Sequence, residues 1–229
     1  MKRTIPFSKG GKDRGLLLID GDNVRDIMGK HKRWPDMGQL IEWVADPGNL
    51  GIDKLIEAVY FATVRDIDHP TFHEIPLKSF KPIGQTPITV VVEPYRWVPW
   101  ATRPPEMKKK FRSRPNARRI NPDTGNLEIR IGIQDEAIFY NALRRIKSFD
   151  TLVCVSSDSD FLKFTEQLSN GNHPFLFNPE YRTTRRTILI GSEINAKAGW
   201  KEAADELVEI EAILPQLLAQ PHPVINRTA

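Results

Sequence analysis

Along the chain, short uninterrupted apolar runs alternate with longer stretches in which apolar residues recur every three or four positions. Gly15 to Asp20 (GLLLID), Thr86 to Glu93 (TPITVVVE) and Thr151 to Val155 (TLVCV) belong to the first kind. So do the AVYFATV end of Lys54 to Val64, Asn126 to Ile133 (NLEIRIGI), PFLF and TILI. Such runs predict strands buried on both faces, as in a parallel sheet. Helical spacing predicts helices over 23–31, 35–46, 72–80, 134–147 and 160–169. A closing helix is predicted from Gly199 to Leu218, where Ala203, Leu207, Ile210 and Leu214 fall on one face. Strands alternating with helices predict an α/β protein in three layers, with helices on both sides of a central, mainly parallel sheet.

One segment breaks this rhythm. Residues 94–126 hold six prolines and two tryptophans and show neither period. They read as a proline-rich insertion in a single domain spanning 13–218, with flexible tails at 1–12 and 219–229. A chain of 229 residues suits one such domain better than two.

Composition narrows the classes. The chain is 40% hydrophobic and 27% charged, and no apolar run approaches the roughly 20 residues of a membrane-spanning helix. The start, MKRTIPFSKGGKDRG, lacks the apolar core of a secretory signal, so a cytoplasmic protein with no membrane association is expected. The one cysteine, Cys154, lies inside TLVCV, where a thiol serves as a small buried hydrophobe.

Charge is unevenly distributed. Residues 103–119 (RPPEMKKKFRSRPNARR) carry eight Lys and Arg against one Glu, or +7 in a chain whose net charge is +4, so the rest sums to −3. Concentrated cationic charge suits a polyanion. Lys108, Lys109, Lys110, Arg112, Arg114, Arg118 and Arg119, with Trp97 and Trp100 nearby, combine phosphate-tracking cations with rings on which the bases of a single strand can stack. The alternative is an apolar lid of tryptophans beside a solvated basic loop.

The strand ends carry the candidate chemistry. In open parallel sheets the functional crevice lies beyond the carboxyl ends of the strands. GLLLI runs into Asp20-Gly-Asp22-Asn23, and TLVCV into Ser156-Ser157-Asp158-Ser159-Asp160. Carboxylates gathered at such a mouth repel unless a divalent cation such as Mg2+ or Mn2+ neutralises them. The competing reading makes these residues turn formers and helix caps. A third acidic pair, Asp135-Glu136, opens the helix after NLEIRIGIQ, where it could equally complement a helix dipole.

LLLIDGDNV and VCVSSDSDF, with AVYFATVR between them, resemble the NYN-domain proteins, a branch of the PIN-like nuclease superfamily. The resemblance covers most of 13–215 outside the insertion. It matches Asp20 and Asn23, Asp135 at the start of a central helix, and Ser156 to Phe161, with Ser157 where the family has glycine. KEAADELVEI, with Asp205, resembles the closing helix of many members. Asn141 stands where members often carry a further Asp. The resemblance implies a three-layer PIN-like fold and hydrolysis of phosphodiesters by metal-activated water. It implies Asp20, Asp135, Asp158 and Asp160 as ligands of Mg2+ or Mn2+, with Asn23 and Ser156 orienting water or phosphate. RNA is favoured over DNA, and a homodimer is left open.

Two rivals remain at this stage. LLLIDGDNV also fits the first motif of haloacid dehalogenase-type phosphatases, in which Asp20 would be a nucleophile and Asp22 an acid. Asn141 and Ser157 also allow a catalytically inactive RNA-binding module. His69 and His73, four apart, read as part of a surface helix more readily than as a metal pair. Arg182, Arg185 and Arg186 either extend a phosphate surface or solvate a loop.

Overall fold

Leu16, Leu17, Leu18 and Ile19 are all buried, and neighbours along a strand point to opposite faces, so this run can be satisfied only between two layers. The computed structural model describes residues 12–24, 33–34, 37–64, 86–94, 96–103, 105, 108, 118–131, 134–169, 185–192, 204–217 and 220–221. The elements in chain order are β1 (Arg14–Asp20), β2 (Arg33–Trp34), α1 (Met37–Ala45), α2 (Pro47–Leu50), β3 (Lys54–Val64), β4 (Ile88–Pro94), β5 (Arg96–Pro99), β6 (Arg118–Ile120) and β7 (Leu127–Ile131). They continue with α3 (Gln134–Arg144), β8 (Thr151–Val155), α4 (Ser159–Ser169), β9 (Arg186–Gly191), β10 (Glu206–Glu209), α5 (Ile210–Ile213), a 3-10 turn at Leu214–Gln216, and β11 (Gln220–Pro221).

The main sheet has the order β10-β9-β8-β1-β3-β4, and each neighbouring pair is parallel. Leu17, Ile19, Val153, Val155, Ile188 and Ile190 face α1, α2 and α5 through Leu40, Ile41, Val44, Leu50, Ile210 and Ile213. Leu16, Leu18, Phe61, Leu152, Cys154 and Leu189 face α3 and α4 through Ile138, Ala142, Phe164 and Leu168. This is the expected three-layer α/β/α architecture. Each fully buried aliphatic side chain contributes roughly 1.5–3 kcal/mol. Cys154 is wholly buried, and burial pushes its thiol pKa up, which keeps it an inert core residue.

Two expectations are corrected. Residues 206–209 are not part of a helix: β10 pairs in parallel with β9. Leu207 packs on the core facing α3, whereas Val208 packs on the opposite core. Adjacent side chains on opposite faces require period two, which the coincidental spacing of Leu207 and Ile210 conceals. Among the described residues of that span, helical structure begins at Ile210, and 199–203 lie outside those described. Within the insertion, expected to follow neither period, the described residues hold β5 and β6, which pair antiparallel with β7 in the order β5-β7-β6. β6 and β7 are joined over 121–126. There Asn121 Oδ1 accepts from the amides of Asp123 and Thr124, and Gly125 takes φ 68°, a left-handed conformation that glycine adopts without strain.

Residues 220–221, assigned from the sequence to a tail, pair antiparallel with β2. Of the helix expected over 23–31, the described residues show a helical turn at 21–24, and 25–31 lie outside them. The helix over 72–80, the strand PFLF and the tail 1–11 lie outside the described residues. Among those described, no helix is long and apolar enough to cross a membrane.

Candidate functional site

From β1 the chain steps outward to β3 and β4, then returns to the other side of β1 with β8 and continues to β9 and β10. The order reverses between β1 and β8, and at such a point the connections diverge and leave a crevice beyond the carboxyl ends. Ile19 and Val155 are the last residues through which β1 and β8 pair with each other. Asp20 and Ser156 therefore follow side by side at the end of that pairing.

Their side chains interlock. The Ser156 hydroxyl donates to Asp20 Oδ2 at 3.0 Å, and the Asn23 amide donates to Asp20 Oδ1 at 3.1 Å. Asn23 Oδ1 accepts from the Ser157 amide at 2.7 Å, and Ser156 Oγ accepts from the Asp158 amide at 3.1 Å. The Ser156 amide continues the ladder to the Ile190 carbonyl at 3.0 Å. All three amides of the 156–158 turn thus have acceptors, and Asp158 is held in place by its backbone. Asp20 is 6% exposed and Asp158 is half-buried. Gly21 is required here because a Cβ would lie 2.4 Å from the Phe61 carbonyl and 2.5 Å from the Tyr60 hydroxyl.

Asp135 and Asp160 reach the same edge by topology. α3 packs on β1 and β3 and leads into β8, whose start lies at the opposite, amino edge. Arg145, just past α3, pairs with Glu57 near the start of β3 at 2.6 Å. Asp135 lies ten residues earlier, about 15 Å along the helix, and Glu57 to Phe61 spans about 13 Å of strand. The backbone of Asp135 therefore lies at the carboxyl edge. Asp160 is in the first turn of α4, which starts four residues after β8. The side chains of Asp135 and Asp160 lie outside those described. Among the described residues no group of three or more His, Cys, Asp or Glu side chains is gathered so as to hold a metal. The donors that do meet are carboxylate, hydroxyl and amide oxygens, the hard set that suits Mg2+ or Mn2+.

The small antiparallel sheet is rooted at this edge too. β5 begins two residues after β4 ends, and α3 begins three residues after β7 ends. On one face of it the Arg119 guanidinium lies 4.4 Å from the centre of the Trp97 ring and donates to Glu128 at 2.8 Å, with Arg130 paired opposite Trp97. Hydrogen bonds from Asn121 and Arg119 hold the Glu128 carboxyl below its ordinary pKa. Lys108 donates to the Ala101 carbonyl at 3.1 Å, Trp100 and Arg118 are half-buried, and the Trp100 amide joins the Leu127 carbonyl. Lys109, Lys110, Arg112 and Arg114 lie outside the described residues, as do His69, His73 and Arg182.

Arg185 and Arg186 belong elsewhere. They sit at the amino edge, where Arg185 donates to the Ile146 carbonyl and Arg186 to Asp13 and Glu206. At the start of β9 they are a strand's length from Asp20, at the edge opposite the acidic turn. Asn141 accepts from Arg145 at 2.7 Å and so supports the pair with Glu57. Sequence reasoning missed Ser157 Oγ, which accepts from the Ser192 amide at 2.7 Å, and Glu211, which accepts from the Ser192 hydroxyl. Ser192 was findable, since TILIG-Ser192 is a third buried strand ending in a polar residue. Glu211 carried no such signal.

No known family model matches this sequence, and no curated protein matches it. Among solved structures the chain is similar to a protein of unknown function from Vibrio parahaemolyticus. The identity is 16% over 88% of this chain and 95% of that one, with a TM-score of 0.48.

Proposed function

We propose that the chain is a nuclease dependent on Mg2+ or Mn2+ that hydrolyses single-stranded nucleic acid, with RNA favoured. The observation that carries the reading is the buried Asp20 at the switch point, bridged by the Ser156 hydroxyl to the turn bearing Asp158. Asp20 and Asp158 would hold the cation, with Asp135 and Asp160 supplying the further carboxylates. The bound ion supplies a water of lowered pKa and offsets charge on the phosphate. Asn23 and Ser156 keep the Asp20 oxygens oriented, using neutral donors that add no charge of their own. A carboxylate centre repels its substrate, and the cationic insertion beside it counters that repulsion.

One observation favours a second reading, a non-catalytic RNA-binding module. One Asp20 oxygen accepts from Ser156 and the other from the amide of Asn23, whose side chain accepts from the Ser157 amide, so these bonds clasp β1 to the 156–158 turn in a role that needs no metal. Labelled single-stranded RNA and DNA incubated with Mg2+, Mn2+ or chelator separate the two. Cleavage that requires the metal and is lost in Asp20→Asn and Asp158→Asn supports the nuclease. Binding without cleavage under every condition supports the module.

A further inference from the structure

We propose that Ser157 is a positioning residue of the acidic centre, and that Glu211 acts on it through Ser192. This rests on the reading of the centre as a cation site. β8 leaves the sheet at Ser156 and Ser157. The Ser156 amide still donates to the Ile190 carbonyl of β9. In a regular parallel ladder the next amide of β9, that of Ser192, would donate to a carbonyl of β8. It donates instead to the Ser157 hydroxyl at 2.7 Å, so a side chain stands in for the strand just where the backbone turns away.

Ser157 and Ser192 are 7% and 1% exposed, so an amide left without an acceptor there would cost about 1–3 kcal/mol. Each neighbour of Ser157 is fixed in turn. Its own amide donates to Asn23 Oδ1, the Asn23 amide donates to Asp20, and the Ser192 hydroxyl donates to Glu211 on α5. A continuous series of hydrogen bonds therefore crosses the carboxyl ends of β9, β8 and β1, from Glu211 to Asp20. The turn carrying Ser156 and Asp158 is gripped from β1 on one side and β9 on the other. Loss of the Ser157 hydroxyl leaves the Ser156 amide as the remaining bond from the turn to β9, so the spacing of Asp158 from Asp20, bridged by Ser156, is set less tightly. Partners that orient ligands in this way typically contribute 10–100-fold to metal affinity.

The test is Mn2+ titration of the full chain by calorimetry, at a temperature well below unfolding, for the native protein, Ser157→Ala, Ser157→Thr, Glu211→Ala and Glu211→Gln. Ser157→Ala and Glu211→Ala are expected to weaken Mn2+ binding about tenfold or more. Ser157→Thr, which keeps a hydroxyl, and Glu211→Gln, which keeps an acceptor, restore it. A purely structural role lowers the unfolding temperature and leaves the affinity of the folded protein unchanged. Native-like Mn2+ binding by a folded Ser157→Ala overturns the positioning role while leaving the cation site standing. If Ser157→Ala does not fold, Glu211→Ala is judged on the same scale. A native protein that binds no Mn2+ overturns the cation reading and this proposal with it.

Discussion

At the amino edge of the parallel sheet, Asp150 receives the Arg14 guanidinium at 2.9 Å and Asp13 receives Arg186 at 3.5 Å, with the Thr151 hydroxyl on Asp13 at 2.9 Å. At the carboxyl edge, Asp20 accepts from a serine hydroxyl and a backbone amide among its interactions, and the Asp158 amide donates to Ser156. Both edges hold acids, yet the means differ. A cation cancels the charge it holds and so locks the edge, whereas hydroxyl and amide donors orient a carboxylate without cancelling its charge. Burial raises the Asp13 pKa despite its partners, while Arg14 keeps Asp150 low. The first edge is held by ion pairs, and the second is the one proposed above to hold a cation.

Changes at each edge test that contrast. The largest effect is expected from Asp20→Asn, which should reduce metal-dependent cleavage by more than the roughly 100-fold typical of outer-shell partners. The urea midpoint should move by no more than about 1 kcal/mol of stability, since the amide still offers an acceptor to Asn23. Full activity in this variant would remove Asp20 from the chemistry. Arg186→Ala should do the reverse. Arg186 and Asp13 are 12% and 10% exposed, and stranding a buried acid costs about 3 kcal/mol by urea unfolding. Cleavage should be unchanged in the folded variant, because seven residues of β1 put the two edges about 20 Å apart.

A smaller effect is expected from the insertion rooted at the carboxyl edge. Replacing Lys108, Lys109 and Lys110 by Ala should weaken RNA binding and reduce the slope of log affinity against log salt by up to about 2, at roughly 0.7 per phosphate contact. An unchanged slope would exclude phosphate contacts by these lysines. The smallest effect belongs to Asp150→Asn. Because the folded-state pKa of Asp150 lies below its ordinary 3.8, its stabilisation is present above that pH and is lost as pH falls through the folded value. The variant's stability should therefore fall less steeply below pH 3.8. The difference should stay under about 1 kcal/mol, since the pair is nearly half exposed. A curve that superimposes on the native one would show that Arg14 contributes nothing.

Legibility in the sequence followed burial. GLLLID and TLVCV could be read because residues between two helical layers must be apolar at every position, and a carboxylate or serine ending such a run stands out. β10 could not be read, because ELVE is an edge strand with half-buried residues that also fit a helical stripe. The antiparallel sheet of the insertion was hidden for a related reason. β7 was legible, but its partners are short and cover varies along a single face, with Ile129 buried and Ile120 exposed, so β5 and β6 show no alternation. The turn signal PDTGN was present, but nothing local said which strands it joins.

By itself the sequence determined which segments must be buried and which polar residues must follow them, because hydrophobic transfer acts on each residue wherever the chain goes. Only the tertiary structure decided which ends meet. Parallel crossovers and the reversal of strand order brought Asp20 beside Ser156, sent Arg186 to the far edge and enlisted Ser192 and Glu211. Those contacts join residues between 19 and 136 positions apart, and hydrogen bonds over such separations follow from packing, which local pattern does not encode.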